Sequence, residues 1–134
     1  MDILRLSMNE ERIIKPLLWV SSSKRDLMDM PKDVIADFGH GLYQAQIGKH
    51  PDIAKTLSGF GGASIIELIQ DYKGDTFRAV YTVKFPDAIL VLHAFQKKSK
   101  RGIETPKQDI ELIRSRLKMS EIIYKEWKHK RVKK

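Results

Sequence analysis

Lys97, Lys98, Lys100 and Arg101, interrupted only by Ser99, form the densest run of charge in the chain. Cations packed this closely repel one another unless an anion neutralises them, and a phosphate backbone is the natural counter-anion. The run follows an apolar stretch, which places it on a loop leaving a predicted strand, where a rigid sheet can present binding or catalytic groups. Its bland alternative is a gatekeeper cluster that protects an apolar strand from aggregation. Arg78 lies in the middle of another predicted strand. A guanidinium is costly to bury unpaired, so it either lines a wet, concave face, holding phosphate oxygens and stabilising a crowded transition state, or it pairs with a carboxylate such as Glu67. His93 sits in the most apolar strand. It is either a satisfied core residue or a group whose ordinary pKa suits proton transfer near neutrality.

Other chemistries are disfavoured. The chain has no cysteine, which excludes disulfides, thiolate zinc sites and cysteine nucleophiles. His40, His50 and His129 show no metal-ligand spacing, and no acidic cluster gathers on one loop as a metal-dependent nuclease requires. No metal or cofactor is expected. The Gly59-Phe60-Gly61-Gly62 cluster lacks the Lys-Ser/Thr ending of a P-loop and reads as a tight approach into the next strand. Trp19 and Trp127 read as packing residues, with base stacking as the alternative for Trp127.

The elements that must position these groups fit one domain in 134 residues. Residues 1–14 read as an N-terminal extension, 15–127 as the domain and 128–134 as a basic tail. Leu17, Leu18, Trp19 and Val20 suggest a short buried strand. Ser23 to Asp26 suggests a serine-capped helix start, and Pro31 the break to a second helix. That helix carries Val34, Ile35, Phe38, Leu42, Ala45 and Ile47 at helical spacing, and Gly48 is its natural stop. Gly39 and Gly41 weaken it and so suggest a close neighbour. Residues 49–63 read as a long connection. Three strands follow, at 64–72, 77–85 and 88–95, with a hairpin signal at Lys73-Gly74-Asp75. In the second, Phe77, Ala79, Tyr81, Val83 and Phe85 face one way, and Arg78, Thr82 and Lys84 the other. The third is nearly continuously apolar, as a strand covered on both faces should be. Thr105 is the expected cap of a last helix, with Pro106 at its first position and Gln108 completing a capping box. Ile110, Ile113 and Leu117 give that helix an apolar stripe. The expected fold is α+β, with an N-terminal strand and helices, an antiparallel three-stranded meander and a C-terminal helix.

Charge is distributed unevenly. Residues 1–96 hold 11 Lys/Arg and 12 Asp/Glu, whereas residues 97–134 hold 14 and 5, so the formal excess of +8 resides in the C-terminal segment. Such asymmetry is the footprint of a protein that meets a polyanion, although a basic run also aids solubility. No apolar run approaches a membrane span, and no signal-peptide layout is present, so a cytoplasmic location is expected.

Several stretches together resemble a known family. R-A-V-Y-T-V-K-F (78–85), V-L-H-A-F-Q-K-K-S (91–99) and T-P-K-Q-D-I (105–110) are similar to the signature of phage-related HigB-like toxins of the RelE superfamily. W-V-S-S-S-K-R-D-L (19–27), F-G-H-G-L-Y (38–43) and G-F-G-G-A (59–63) resemble the same family's N-terminal half. The likeness spans residues 15–123. It implies a RelE-like fold and metal-free mRNA cleavage at the ribosome, with the ribose 2′-hydroxyl attacking the adjacent phosphate, and inhibition by a cognate helix-turn-helix antitoxin. The family's strand arginine falls on Arg78, and its basic residue at the last strand's end on Lys97 or Lys98. The catalytic candidates are Arg78, Lys98 and His93, and the RNA-contact candidates are Lys73, Lys84, Lys97, Lys100 and Arg101. Many members add a tyrosine or histidine shortly after that strand. Residues 99–105 hold neither, which leaves His93 or Tyr81 as substitutes. The competing functions are a non-catalytic RNA- or ribosome-binding module and a protein-interaction component of a phage-derived operon. The outer face of the last helix, with Arg114 and Lys118, is the expected surface for the antitoxin.

Overall fold

The computed structural model describes residues 13–62, 64–97 and 104–132. Lys98, Lys100 and Arg101 lie outside the described residues, as does most of the N-terminal extension. The chain runs β1 (Leu17–Trp19), α1 (Ser23–Met28), α2 (Lys32–Gln46), β2 (Ala54–Thr56), β3 (Ile65–Tyr72), β4 (Asp75–Thr82), β5 (Ile89–Lys97) and α3 (Lys107–Val132). The strands form one sheet in the order β1-β5-β4-β3-β2. β1 pairs with β5 in parallel, and the other neighbours are antiparallel.

The α+β class stands, but the three-stranded meander is only the middle of the sheet. β2 emerges from the segment read as a connection, and β1 closes the opposite edge. Helices cover both faces, as the apolar run of the third predicted strand requires. On one face Val34, Phe38, Leu42 and Ala45 of α2 pack on Ile66, Leu68, Phe77, Ala79 and Tyr81. On the other, Ile113 of α3 packs with Ile65, Val80, Leu90 and Leu92, flanked by Ile110, Leu117 and Trp127. This double cover explains the continuous apolar run of β5, since both sets of its alternating side chains leave water.

Local chemistry sets the element ends. Pro31 stands at the N-cap of α2, in the extended conformation its ring favours. Gly48, at φ +85°, ends the helix. Its N–H donates to Ala45 O and that of Lys49 to Gln44 O, the paired bonds of a Schellman motif. Lys73 and Gly74 both take positive φ, as a two-residue type I′ hairpin loop requires. The two serine and threonine caps expected from sequence are not formed. Ser22 occupies the N-cap of α1 without a side-chain capping bond, because its hydroxyl donates to Asp26 at 2.6 Å. Ser23 donates to Val91 O instead. Thr105 is spent on the sheet, as described below. β4 ends at Thr82, so Val83 is exposed and Phe85 turns to the α3 face, stacking on Tyr124 at 4.4 Å.

Of the two α2 glycines, only Gly41 has a close neighbour. A Cβ there would meet Leu68 Cδ1 at 3.1 Å, whereas Gly39 has open space. Gly39→Ala should therefore stabilise the protein by up to about 1 kcal/mol through helix propensity. Gly41→Val should destabilise it by about 1–3 kcal/mol through overpacking against β3. Urea unfolding of both variants checks the contrast.

Candidate functional site

The α3 face of the sheet carries polar groups that the sequence alone spreads across the chain. β3 and β4 pair Glu67 with Val80 and Ile69 with Arg78, so Glu67 and Arg78 are diagonal neighbours on one face. Arg78 Nη1 donates to Glu67 Oε2 at 3.0 Å and to Thr105 Oγ1 at 3.0 Å. Thr105 in turn donates to Glu67 Oε2 at 2.6 Å. The ionised side chains are only 3% and 0% exposed. Of the two readings open for Arg78, the carboxylate pair with Glu67 is the one present. Thr105 extends that pair to the segment that leads into α3.

A second polar unit lies beside it. In the β4–β5 ladder Val80 pairs with His93, but Tyr81 pairs with Val91, so β5 carries a bulge at Leu92–His93. Strict alternation would send Leu92 and His93 to opposite faces. The bulge lets both reach the α3 side, Leu92 into the apolar cluster and His93 to α3 itself. His93 Nε2 stands 2.8 Å from Asp109 Oδ1, and its ring stacks on Phe95 at 4.5 Å. Its Nδ1 lies 3.4 Å from Arg116 Nη1, which also donates to Leu92 O at 3.0 Å. Arg116 Nη2 donates to Ser22 Oγ at 3.2 Å. A guanidinium can only donate, so Nδ1 accepts, and the ring proton resides on Nε2 facing Asp109. Burial pushes the His93 pKa below its ordinary value, against the opposing pull of Asp109. Burial also lowers that of Arg116.

Among the basic candidates, Lys97 ends β5 opposite Thr76, on the face shared with Phe95 and Arg78, and is largely buried. Lys73 occupies the hairpin loop at the same end of the sheet, its ammonium 5.3 Å from the Tyr72 ring centre. Lys98, Lys100 and Arg101 follow Lys97 directly but lie outside the described residues. Lys84 is at the other end, roughly 25 Å along the β4 direction at strand rise, and pairs with Glu121 at 2.5 Å. Arg114 is engaged too. It stacks on Phe60 at 4.6 Å and donates to Gly59 O at 3.2 Å, pinning the glycine-rich loop to α3. It is therefore not a free outer-face cation, whereas Lys118 is exposed.

Sequence reasoning missed Asp109 and Arg116. Their signal was present: spaced by two helical turns, they share the helix side of Ile113 and Ser120, where a purely structural stripe would be apolar. Among the described residues no group of His, Asp or Glu is arranged to hold a metal ion. No described helix is long and apolar enough to cross a membrane.

A five-stranded mixed sheet with helices on both faces, and a buried ion pair near its Lys73 and Lys97 end, describes a small α+β protein. The family model of phage-derived Gp49-like proteins matches residues 25–118, more than half of the chain, and the chain belongs to that family. This is the phage-related family that the motifs resemble. Comparison with curated proteins gives no significant match. Among solved structures, the chain is similar to one in the toxin–antitoxin complex RelBE2 from Mycobacterium tuberculosis, at 14% identity and a TM-score of 0.44. That similarity covers 65% of this chain and 95% of the other.

Two outcomes follow for the polar units. Arg78→Ala strands a buried carboxylate and should cost about 3–5 kcal/mol of stability, while Arg78→Met with Glu67→Met should recover most of that loss. Denaturant titrations of the single and double variants measure both. Burial holds the His93 pKa in the folded state below the ordinary value of 6.5 that the unfolded chain keeps. The unfolded chain then binds more protons, so this contribution to stability is present above pH 6.5 and is lost as the pH falls below it. Urea midpoints between pH 7.5 and 5.5 should drop, at most by about 1.4 kcal/mol per pH unit from this group, and His93→Gln should flatten the decline.

Proposed function

We propose that this chain is the toxin of a type II toxin–antitoxin pair, a metal-free endoribonuclease that cuts mRNA on the ribosome. The observation that carries the reading is the joint between Lys97 and Thr105. The densest basic run of the chain leaves β5 at Lys97 and returns at a threonine fastened to the buried Arg78–Glu67 pair. Membership of the Gp49-like family supports the same assignment. In this reading Lys97, Lys98, Lys100 and Arg101 meet the phosphates, and Lys73 extends the basic edge. Lys98 stabilises charge as the 2′-hydroxyl, losing its proton to water, attacks phosphorus, and the 5′-oxygen leaves and takes a proton from water. Arg78 and His93 act as positioning residues, the first through Thr105 and the second through Asp109 and Arg116. The cognate partner is a helix-turn-helix antitoxin, and the site of action is the cytoplasm.

A second reading is favoured by one observation. Both ring nitrogens of His93 are engaged and the side chain is buried, so the one histidine at this face is poorly placed to shuttle protons. A non-catalytic RNA- or ribosome-binding module fits that feature. Expression alone and with the neighbouring open reading frame separates the readings. The toxin arrests growth, is rescued by its neighbour and leaves cut ends on ribosome-associated mRNA. Wild-type protein that binds ribosomes without producing cut ends establishes the binding module instead.

Replacing Lys97, Lys98 and Lys100 with glutamine should weaken RNA binding and reduce the logarithmic salt slope by about 0.7 for each lost phosphate contact. Filter binding across a salt series measures the slope. An unchanged slope means that the phosphates meet another surface.

A further inference from the structure

A cavity of about 300 Å³ opens beside the buried ion pair, between β2 and the segment that enters α3. Leu57 and Ile110 supply its apolar lining, and Lys55, Ser58, Glu104 and Thr105 its polar rim. Lys55 pairs with Glu67 in the β2–β3 ladder, so it projects on the face of the sheet where Arg78 and Thr105 meet. Thr105 belongs both to the cavity and to the Arg78–Glu67 unit, which joins the two. Lys55 and Glu104 are exposed, and neither has a hydrogen bond or ion pair among the described residues. Two opposite charges with no partner among the described residues, beside a small apolar strip, form a recognition pattern with one donor-only and one acceptor-only group.

We propose that this cavity is a base-recognition subsite for a guanine nucleotide of the RNA. The inference rests on the ribonuclease reading and specifies its substrate. The two oxygens of a carboxylate are matched in a bidentate fit by two donors that lie side by side. Guanine offers N1–H and N2–H₂ on adjacent edge positions, whereas adenine, cytosine and uracil each present a single donor group there. Guanine also carries O6 and N7 as acceptors for an ammonium. Recognition of this edge requires an unpaired base, as in single-stranded RNA, and the Leu57 and Ile110 side chains offer the base an apolar surface. The volume is at the small end of ligand sites and suits one nucleotide rather than a longer segment.

Calorimetric titration of the full chain with GMP, IMP, AMP, CMP and UMP tests this. GMP should bind most tightly. IMP keeps N1–H and O6 but lacks the 2-amino group, so it should bind about tenfold more weakly. Glu104→Gln should weaken GMP about tenfold or more and erase the difference between GMP and IMP, with circular dichroism confirming the fold. Lys55→Gln should weaken GMP and IMP alike. Equal affinity for GMP, IMP and AMP, or a GMP affinity untouched by Glu104→Gln, overturns the subsite. Selective GMP binding by a protein that cuts no mRNA sinks the ribonuclease reading and keeps the pocket. Cleavage of mRNA without any GMP preference sinks the pocket alone.

Discussion

Glu67 and Arg78 face each other across β3 and β4 with almost no access to water. Removing two charges from solvent costs several kcal/mol each, and their attraction offsets this only when the geometry is good and the remaining atoms find partners. The 3.0 Å contact and the bridging hydroxyl of Thr105 meet much of that demand, although Glu67 Oε1 has no hydrogen-bonding partner among the described residues. The consequence is a fixed register. A slip of one residue between β3 and β4 would carry one partner to the α2 face, among Phe38 and Leu42, and strand the other. The two-residue loop at Lys73-Gly74 enforces the same alignment from the hairpin end. Thr105 then transmits it to the chain that follows β5. Both ends of the basic segment are thereby anchored, at Lys97 by the ladder and at Thr105 by the ion pair.

The histidine unit does for the layers what the ion pair does for the strands. Arg116 reaches from α3 to β5 through Leu92 O and His93, and to the start of α1 through Ser22. Ser22 donates a hydrogen bond to Asp26, and His93 donates one to Asp109. One cation thus sits between two carboxylates, and the neutral imidazole lets the donors and acceptors match. Protonating His93 would set a second donor against Arg116, which breaks the match at the Nδ1 side. All of this depends on the β5 bulge, without which alternation would not bring His93 and Leu92 to one side.

Much of this frame was legible in the sequence because it is written in local patterns. The alternation through Phe77, Arg78 and Ala79, the apolar run of β5, the spacing of Val34, Phe38 and Leu42 and the stop at Gly48 each appear within one element. Glu67 was named as the alternative partner of Arg78 because a buried arginine demands a carboxylate. What was not legible depends on long-range pairing. β2 has three residues, too few to display a period, and β1 finds its parallel partner only after most of the chain has intervened. A bulge leaves no mark in an apolar run, so the facing of His93 was open. Thr105 carried the signature of a cap, yet a nearby buried ion pair competed for its hydroxyl and won, since charge-assisted bonds are stronger than a bond to a helix N–H.

The formal charge of the C-terminal segment overstates what it can offer a polyanion. Arg116 is buried within the histidine unit, and Arg114 lies against Phe60. Lys128 is paired with Asp87, and Arg131 stacks on Trp127 at 4.8 Å. These contacts turn much of the basic character of α3 into packing and local neutralisation at the end of the sheet away from Lys97. Screening at physiological salt acts over about 8 Å, so charges at the two ends, separated by roughly three such lengths, contribute almost independently. Electrostatic attraction of a phosphate backbone therefore depends on the end where Lys73 and Lys97 sit and where the 98–101 run begins. That end is also the one whose backbone the Arg78–Glu67–Thr105 unit holds in place. On the proposed reading, placement more than total charge is what suits this face to an RNA strand.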